Sequence, residues 1–417
     1  MKTTIAMCIA LTLACQTQAQ TLTLEQCQRM AHDNYPAIRQ YQLVEQSRDF
    51  SLSNARKGWL PQVGISAGAF VFTDLLNPSQ PMKQMGIDTK NSVASGTVTV
   101  RQSIYDGGQI AAGKRMAEAE ANVQQRQLDV KMYDVRERVE QLFFGILTLD
   151  EQLSQNRLLQ KDLGVSTQTV ESLMQHGMAN QSDLDAISVE LLKAEQQADA
   201  LTTSREAYLR MLGVFIGSPL QANALLEKPV SASPAAPAEW GWQRPEIGLF
   251  SSQNDLLDAR RRQLDTRLRP TLGFMGAGLL HTQVSSLVHD GMLLGGLSLS
   301  WNIGALYTRK NDLRKLDVQR QLNESNRETF LFLNRLQNED ANGRTQALQR
   351  QIDKDKSIVQ LRERIHATNE KKVALGTESV NELIRSINAV SQARQQQALH
   401  ELQLLQECYH ANTLNNL

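Results

Sequence analysis

Gly64-Ile65-Ser66-Ala67-Gly68 fits G-x-S-x-G, the spacing at which an esterase presents a nucleophilic serine. That chemistry needs a strand that ends in a sharp turn into a helix. Here apolar and small polar residues alternate straight through Ser66 to Phe72, so the match predicts no acyl transfer. Seven histidines, at 32, 176, 281, 289, 366, 400 and 410, show no H-E-x-x-H or other ligand spacing, and no G-x-x-x-x-G-K-[ST] phosphate loop occurs. Met174, Met178 and Met211 read as packing residues rather than soft-metal ligands. No catalytic, cofactor-binding or metal site is expected. What stands out instead is charge beside a glycine: after Leu375-Gly376-Thr377, Glu378, Glu382 and Arg385 recur at i, i+4 and i+7 on one helical face. That face is either a charge gate or an ordinary solvated stripe.

The elements that would position such a face emerge from the rest of the chain. Its 417 residues carry 44 Lys+Arg and 44 Asp+Glu, so no global field directs it to nucleic acid. Residues 1–19 hold Lys2, an apolar run from Ile5 to Cys15 and the small-residue end Thr17-Gln18-Ala19, which predicts a signal peptide and export with Gln20 as the mature N-terminus. A lipid anchor at Cys15 competes with it, although Thr12-Leu13-Ala14 makes a poor lipobox. Two cysteines remain, Cys27 and Cys408. An exported compartment permits a disulfide between them, and two separate buried thiols are the alternative.

Prolines divide the chain. None occurs in 82–218 or 271–417, and since proline inside a helix costs roughly 3 kcal/mol, uninterrupted helices can run there. The Pro/Ala-rich segment 218–243 reads as a linker between two copies, 20–217 and 244–417. Pro36 and Pro61 answer Pro245 and Pro270 at an offset of 209, while Val98 and Gly177 answer Leu297 and Gly376 at 199. Each copy therefore predicts helix, strand, loop, strand, long helix, tight turn, returning helix. The strands are expected at about 61–73, 95–106, 270–282 and 292–304, and the turns at 176–181 and 375–378. Val63, Ile65, Ala67, Ala69 and Val71 share one face, as do Leu293, Leu297, Leu299, Trp301 and Ile303, opposite Ser298, Ser300 and Asn302. In the helices, Val135, Val139, Leu142, Ile146, Leu149 and Leu153 step by four and three, the seam of a coiled coil. A helix over 108–175 would be on the order of 100 Å long.

No run of about 18 apolar residues follows the signal, so no helix crosses a membrane, whereas strands of about 10 alternating residues can. Four strands per chain cannot close a barrel, and an open edge is not viable in lipid, so copies must share one. Two chains give eight strands and a filled interior; three give twelve and a water-filled lumen. Gly107-Gly108 would let strand and helix meet at a sharp bend.

The segments LTLEQCQRMAHDNYPAIR, ARKGWLPQVGISAG, VTVRQSIYDGGQIAAGKRMAEAEA and LMQHGMANQSDLDAISVELLKAE, in that order, resemble the outer-membrane efflux protein family of TolC-like channels. RPEIGLF, RLRPTLGFMGAG, GGLSLSWNIGALY and ALGTESVNELIRSINAVSQAR resemble its second repeat. The resemblance implies an α+β membrane protein: a homotrimer with a twelve-stranded barrel in outer-membrane lipid, continued by a coiled-coil helical barrel through the periplasm. It implies docking on a periplasmic adaptor and an inner-membrane transporter, and passive export of drugs, small toxic compounds or polypeptides. The turns His176-Gly177-Met178-Ala179 and Leu375-Gly376-Thr377 would form the periplasmic tip that an adaptor engages, although both glycines also suit plain helix capping. Glu382 and Arg385 match two acidic positions that narrow the pore in the family, and Asp183 matches an acidic latch residue; Glu378 stands where the family motif has Arg. The second strand-to-helix junction, Ile303-Gly304-Ala305, departs from the family's paired glycines. A pore-less coiled-coil scaffold leaves the four alternating segments unexplained, and a substrate-specific porin leaves the long helices unused.

Overall fold

The computed structural model describes residues 21–71, 92–230, 243–283 and 289–415. The signal segment with Cys15, the far part of the linker, the end of the first expected strand and parts of the two strand-to-strand loops lie outside these residues. In chain order the elements are α1 (Leu24–Asn34), α2 (Ile38–Lys57), β1 (Gln62–Val71), β2 (Ser92–Tyr105), α3 (Gln109–Gln175), α4 (Gln181–Ile216), α5 (Pro245–Thr266), β3 (Thr271–Gln283), β4 (His289–Ser300), α6 (Ala305–Ala374) and α7 (Val380–Asn415). The proline-free stretches become helices of 67 and 70 residues, α3 and α6, each followed by a returning helix of 36. The turn between long and returning helix recurs at one offset: 374 − 175 and 380 − 181 are each 199.

Contacts divide the described chain into two units. One, 41–127 with 248–327, carries the sheet. Its strands run in the order β1-β2-β3-β4, all antiparallel, so each copy supplies a hairpin and β2 pairs with β3 to join them. Directly opposed residues of an antiparallel ladder point to the same face. Ile65 pairs with Val98, Val98 with Gly278 and Gly278 with Leu293, and one apolar face runs across all four strands. Ile65 is 80% exposed and Leu293 89%. The opposite face carries Gln62 beside Arg101 and Gly273 beside Ser298. Ser66 lies mid-strand opposite Thr97, so no nucleophile elbow exists there.

The two strand-to-helix corners differ. Gly107 and Gly108 both adopt positive φ, 68° and 89°, and Asp106 caps α3 by accepting from the Gly108 and Ile110 amides at 2.9 and 2.6 Å. A β-bulge between Ser103 and Tyr105 precedes the bend. At the second corner β4 stops at Ser300, four residues before the expected 304. The Trp301 indole N–H donates to the Leu268 carbonyl at 2.9 Å, and Ile303 N and Ala305 N bond to Trp301 O and Asn302 O, which turns the backbone out of the ladder. Gly304 is not among the positive-φ glycines, so this bend is made by hydrogen bonding rather than by glycine.

The other unit, the described residues of 21–40, 128–247 and 328–415, is helical. Thr23 and Gln26 form a reciprocal capping box that starts α1. One core gathers Leu24, Cys27, Val139, Phe143, Phe144, Leu209, Leu212 and Leu405, side chains worth about 1.5–3 kcal/mol each when fully buried. A Cβ on Gly145 would stand 2.5 Å from the Tyr208 ring, so this glycine sets how closely α4 lies on α3. The first residues of the linker are held here. Arg205 donates to Asp150 and to the Ala222 and Ala224 carbonyls, while Leu22 makes a parallel bridge with Leu226. Cys27 and Cys408 are both buried, with free thiols. Burial raises the Cys27 pKa to about 11 and also raises that of Cys408.

Candidate functional site

The two helix-to-helix turns have the same construction. Gly177 and Gly376 adopt φ of 72° and 69°. Met178 N bonds to Leu173 O and Gly177 N to Met174 O; Thr377 N bonds to Lys372 O and Gly376 N to Val373 O, all at 2.9–3.0 Å. These are two Schellman caps, in which a left-handed glycine lets the last carbonyls of a helix find donors. His176 adds to the first by donating its Nδ1–H to Ser172 O at 2.8 Å, and Thr377 Oγ1 adds to the second at Lys372 O, 3.0 Å.

Each returning helix starts four residues after its capping glycine. Asn180 Oδ1 accepts from Asp183 N at 3.1 Å, and Asp183 Oδ2 accepts from Asn180 N at 3.0 Å, a closed capping box. Asp183 is therefore engaged in starting α4. Ser379 Oγ accepts from Glu382 N at 3.3 Å in the corresponding place on α7. The turns lie side by side: a Cβ on Gly376 would stand 3.7 Å from Met178 Sδ. Behind them Leu163, Val170, Leu173, Ile187, Val373, Val380, Leu383 and Ile387 form one buried core drawn from all four long helices. At the surface, Met178 and Leu375 remain exposed.

The charged face is brought together in part. Arg385 Nη1 lies 3.4 Å from Glu382 Oε2, with side-chain exposures of 79% and 41%. Glu378 does not join them; it lies 4.0 Å from Lys372. Neighbouring ties between hairpins carried no periodic signal in the sequence. Asn388 Nδ2 donates to Glu190 Oε2 at 3.1 Å. Arg394 reaches Glu363 at 2.7 Å and Asp162 at 3.6 Å. Lys193 first, and then Asn388, hold the Glu190 carboxyl below the usual range. Among the described residues no cluster of His, Cys, Asp or Glu could hold a metal ion.

The same unit contains a second polar cluster, at the end of α7. Tyr133 OH donates to Thr413 O, Asn334 Nδ2 to Leu414 O at 3.0 Å, and Asn415 Nδ2 to Asn338 Oδ1 at 2.7 Å. Thr413 Oγ1 donates to Glu140 Oε2 at 2.6 Å. Glu140 is buried, and desolvation raises its pKa to about 7, against the lowering effects of Thr413 and Arg136. Arg244 stacks on the Tyr133 ring at 4.3 Å and pairs with Glu137 and Glu246.

Residues 28–218 match the family model described as Outer membrane efflux protein. The fold is similar to that of the outer membrane protein VceC from Vibrio cholerae, with TM-score 0.67 and 12% identity over 93% of this chain and 95% of that one. It is similar also to the CmeC outer membrane channel of Campylobacter jejuni, with TM-score 0.68 and 14% identity over 94% and 85%. The open-state MtrE outer membrane channel of Neisseria gonorrhoeae gives TM-score 0.64 and 12% identity over 94% and 88%. Identities this low establish the fold alone. No curated relative matches the chain by sequence.

Proposed function

We propose that the chain is a member of the outer membrane efflux protein family, whose model residues 28–218 match, and that three copies form the passive exit duct of a tripartite efflux or secretion system. The protein lies in the outer membrane with its helices in the periplasm. The observation that carries the proposal is the sheet. It has an apolar face that is exposed, an opposite face with polar residues, and two outer strands, β1 and β4, each with an edge free among the described residues. In lipid such edges must be paired. Pairing β4 of one copy with β1 of the next closes a twelve-stranded barrel around a lumen. At the paired helix-to-helix turns Met178, Leu375, Gly177, Gly376, Ala179 and Thr377, with His176 beside them, offer an adaptor a surface rich in small and apolar groups. An inner-membrane transporter supplies the substrate. A duct of this kind requires no catalytic group.

The gate we assign to Glu382 and Arg385. Because the two side chains pair within each copy, threefold repetition gives a mixed ring of low net charge, and removing either partner leaves a ring of one sign. Planar-bilayer conductance of the purified mature protein tests this. Wild type conducts weakly, Glu382→Ala conducts more with anion preference, and Arg385→Ala conducts more with cation preference. Conductance indifferent to both substitutions overturns the gate. An assembled trimer that conducts in no variant overturns the duct in favour of a scaffold.

A further inference from the structure

We propose that the end of the sheet where strands pass into helices is a collar that binds anionic phospholipid headgroups, a role that rests on the apolar sheet face lying in lipid. Four aromatic side chains gather at this end: Trp59 before β1, Tyr105 at the end of β2, and Trp301 and Tyr307 after β4. All are exposed, Trp301 by 60% and Tyr307 by 86%. Tyr105 continues the apolar face, since it pairs with Leu272 and Leu272 with Leu299. Trp301 has its indole N–H already bonded to Leu268 O, so its open ring is left as an apolar surface with a satisfied polar edge. Exposed indoles and phenols at the rim of a spanning sheet sit at headgroup depth.

Basic residues share the same rim. Arg56, Lys57, Arg267, Arg269 and Lys310 are exposed, and each lies within ten residues of a strand end. None of the five has a carboxylate within ion-pair distance among the described residues, so their charges are available. The acids at this end are mostly occupied: Asp106 caps α3 and Asp265 pairs with Arg309 at 2.9 Å. A pocket of about 250 Å³ opens between Leu264, Arg267, Asn302, Thr308, Arg309 and Asp312. Arg309 Nε is buried there without a partner, and Asp312 is the one acid on its wall. The collar thus combines rings suited to the interface with an excess of positive charge, and a negatively charged headgroup complements both. Each base that meets an anionic leaflet favours binding by roughly fivefold.

The test uses the full mature protein reconstituted in vesicles of phosphatidylcholine with phosphatidylglycerol. Lipids retained after gentle extraction are weighed by mass spectrometry, and conductance is recorded on the same preparations. Wild type retains phosphatidylglycerol above its bulk fraction. A Lys57→Gln/Arg267→Gln/Lys310→Gln variant loses that enrichment, about fivefold for each base that contacts headgroups. A Lys354→Gln/Lys356→Gln variant on α6 keeps it. Unchanged enrichment in the triple variant, or equal loss in the α6 control, overturns the collar. A triple variant with altered ion selectivity and unaltered lipid retention also overturns it, by placing the bases in the lumen. Conduction by wild type without enrichment defeats the collar alone. Absence of conduction in Glu382→Ala as well as in wild type defeats the duct, and lipid retention then still decides the collar.

Discussion

Replacing Glu140 with Gln should stabilise the protein at alkaline pH and leave its acid-side stability almost unchanged. Glu140 is 4% exposed, and its pKa is raised from 4.5 to about 7, chiefly by burial. Between these values the folded state holds a proton that the unfolded state has lost. Stability therefore falls as pH rises from about 4.5 to about 7, then levels off once both states are ionised. A shift of this size corresponds to about 3 kcal/mol per copy at pH 8, of which only about 1 kcal/mol is already lost at pH 5. Gln keeps the shape and still accepts from Thr413 Oγ1, the 2.6 Å hydrogen bond that ties α3 to the end of α7. Denaturation midpoints of wild type and Glu140→Gln, followed by helical signal across pH 4 to pH 8, should coincide within error at the acid end. They should separate in favour of the variant at the alkaline end. Parallel profiles, or a variant that is weaker at pH 8, would refute the argument by showing that Arg136 and Thr413 already compensate the buried charge.

Gly145→Ala places a methyl 2.5 Å from the Tyr208 ring and should lower stability by about 1–3 kcal/mol; Gly145→Ala/Tyr208→Ser should recover most of it in a thermal melt. Arg205→Ala strands the Asp150 carboxylate and the Ala222 and Ala224 carbonyls. The expected cost is about 1–3 kcal/mol, since Asp150 is itself open to solvent, and it should be seen first as faster proteolysis within 218–230. Asn180→Ala opens the capping box of α4 and should cost about 1 kcal/mol, with accelerated amide exchange confined to the residues after the first turn.

Much of the architecture was legible locally because it is local in origin. Proline-free stretches became helices of 67 and 70 residues, since nothing in them interrupts the hydrogen-bond ladder. Gly177 and Gly376 marked the tips because a helix that ends in a left-handed residue favours glycine. Alternation marked the sheet faces, since successive side chains in a strand must point oppositely. The 199 offset recurs in the structure at the helix-to-helix turns. Of the candidate site, Glu382 and Arg385 are paired, but Glu378 turned to Lys372 and Asp183 to its own cap.

Those last two outcomes show where local reasoning stops. Shared periodicity puts residues on one face, but a side chain goes to whichever donor lies nearest, and a helix N-terminus offers Asp183 unpaired amides one turn away. Pairing of β2 with β3 across the two copies and the Arg205 hold on the linker both join residues distant in sequence. The polar cluster at the end of α7 belongs with them. Tyr133 and Asn334 donate to the Thr413 and Leu414 carbonyls at the end of α7, while Glu140 and Asn338 accept from the Thr413 hydroxyl and the Asn415 amide. Sequence alone determined the repeat, the helices, the strands and the tips, because each follows from covalent chain geometry and nearest neighbours. Tertiary structure alone decided which polar groups meet, because a buried donor or acceptor takes its partner from whatever packing brings within 3 Å.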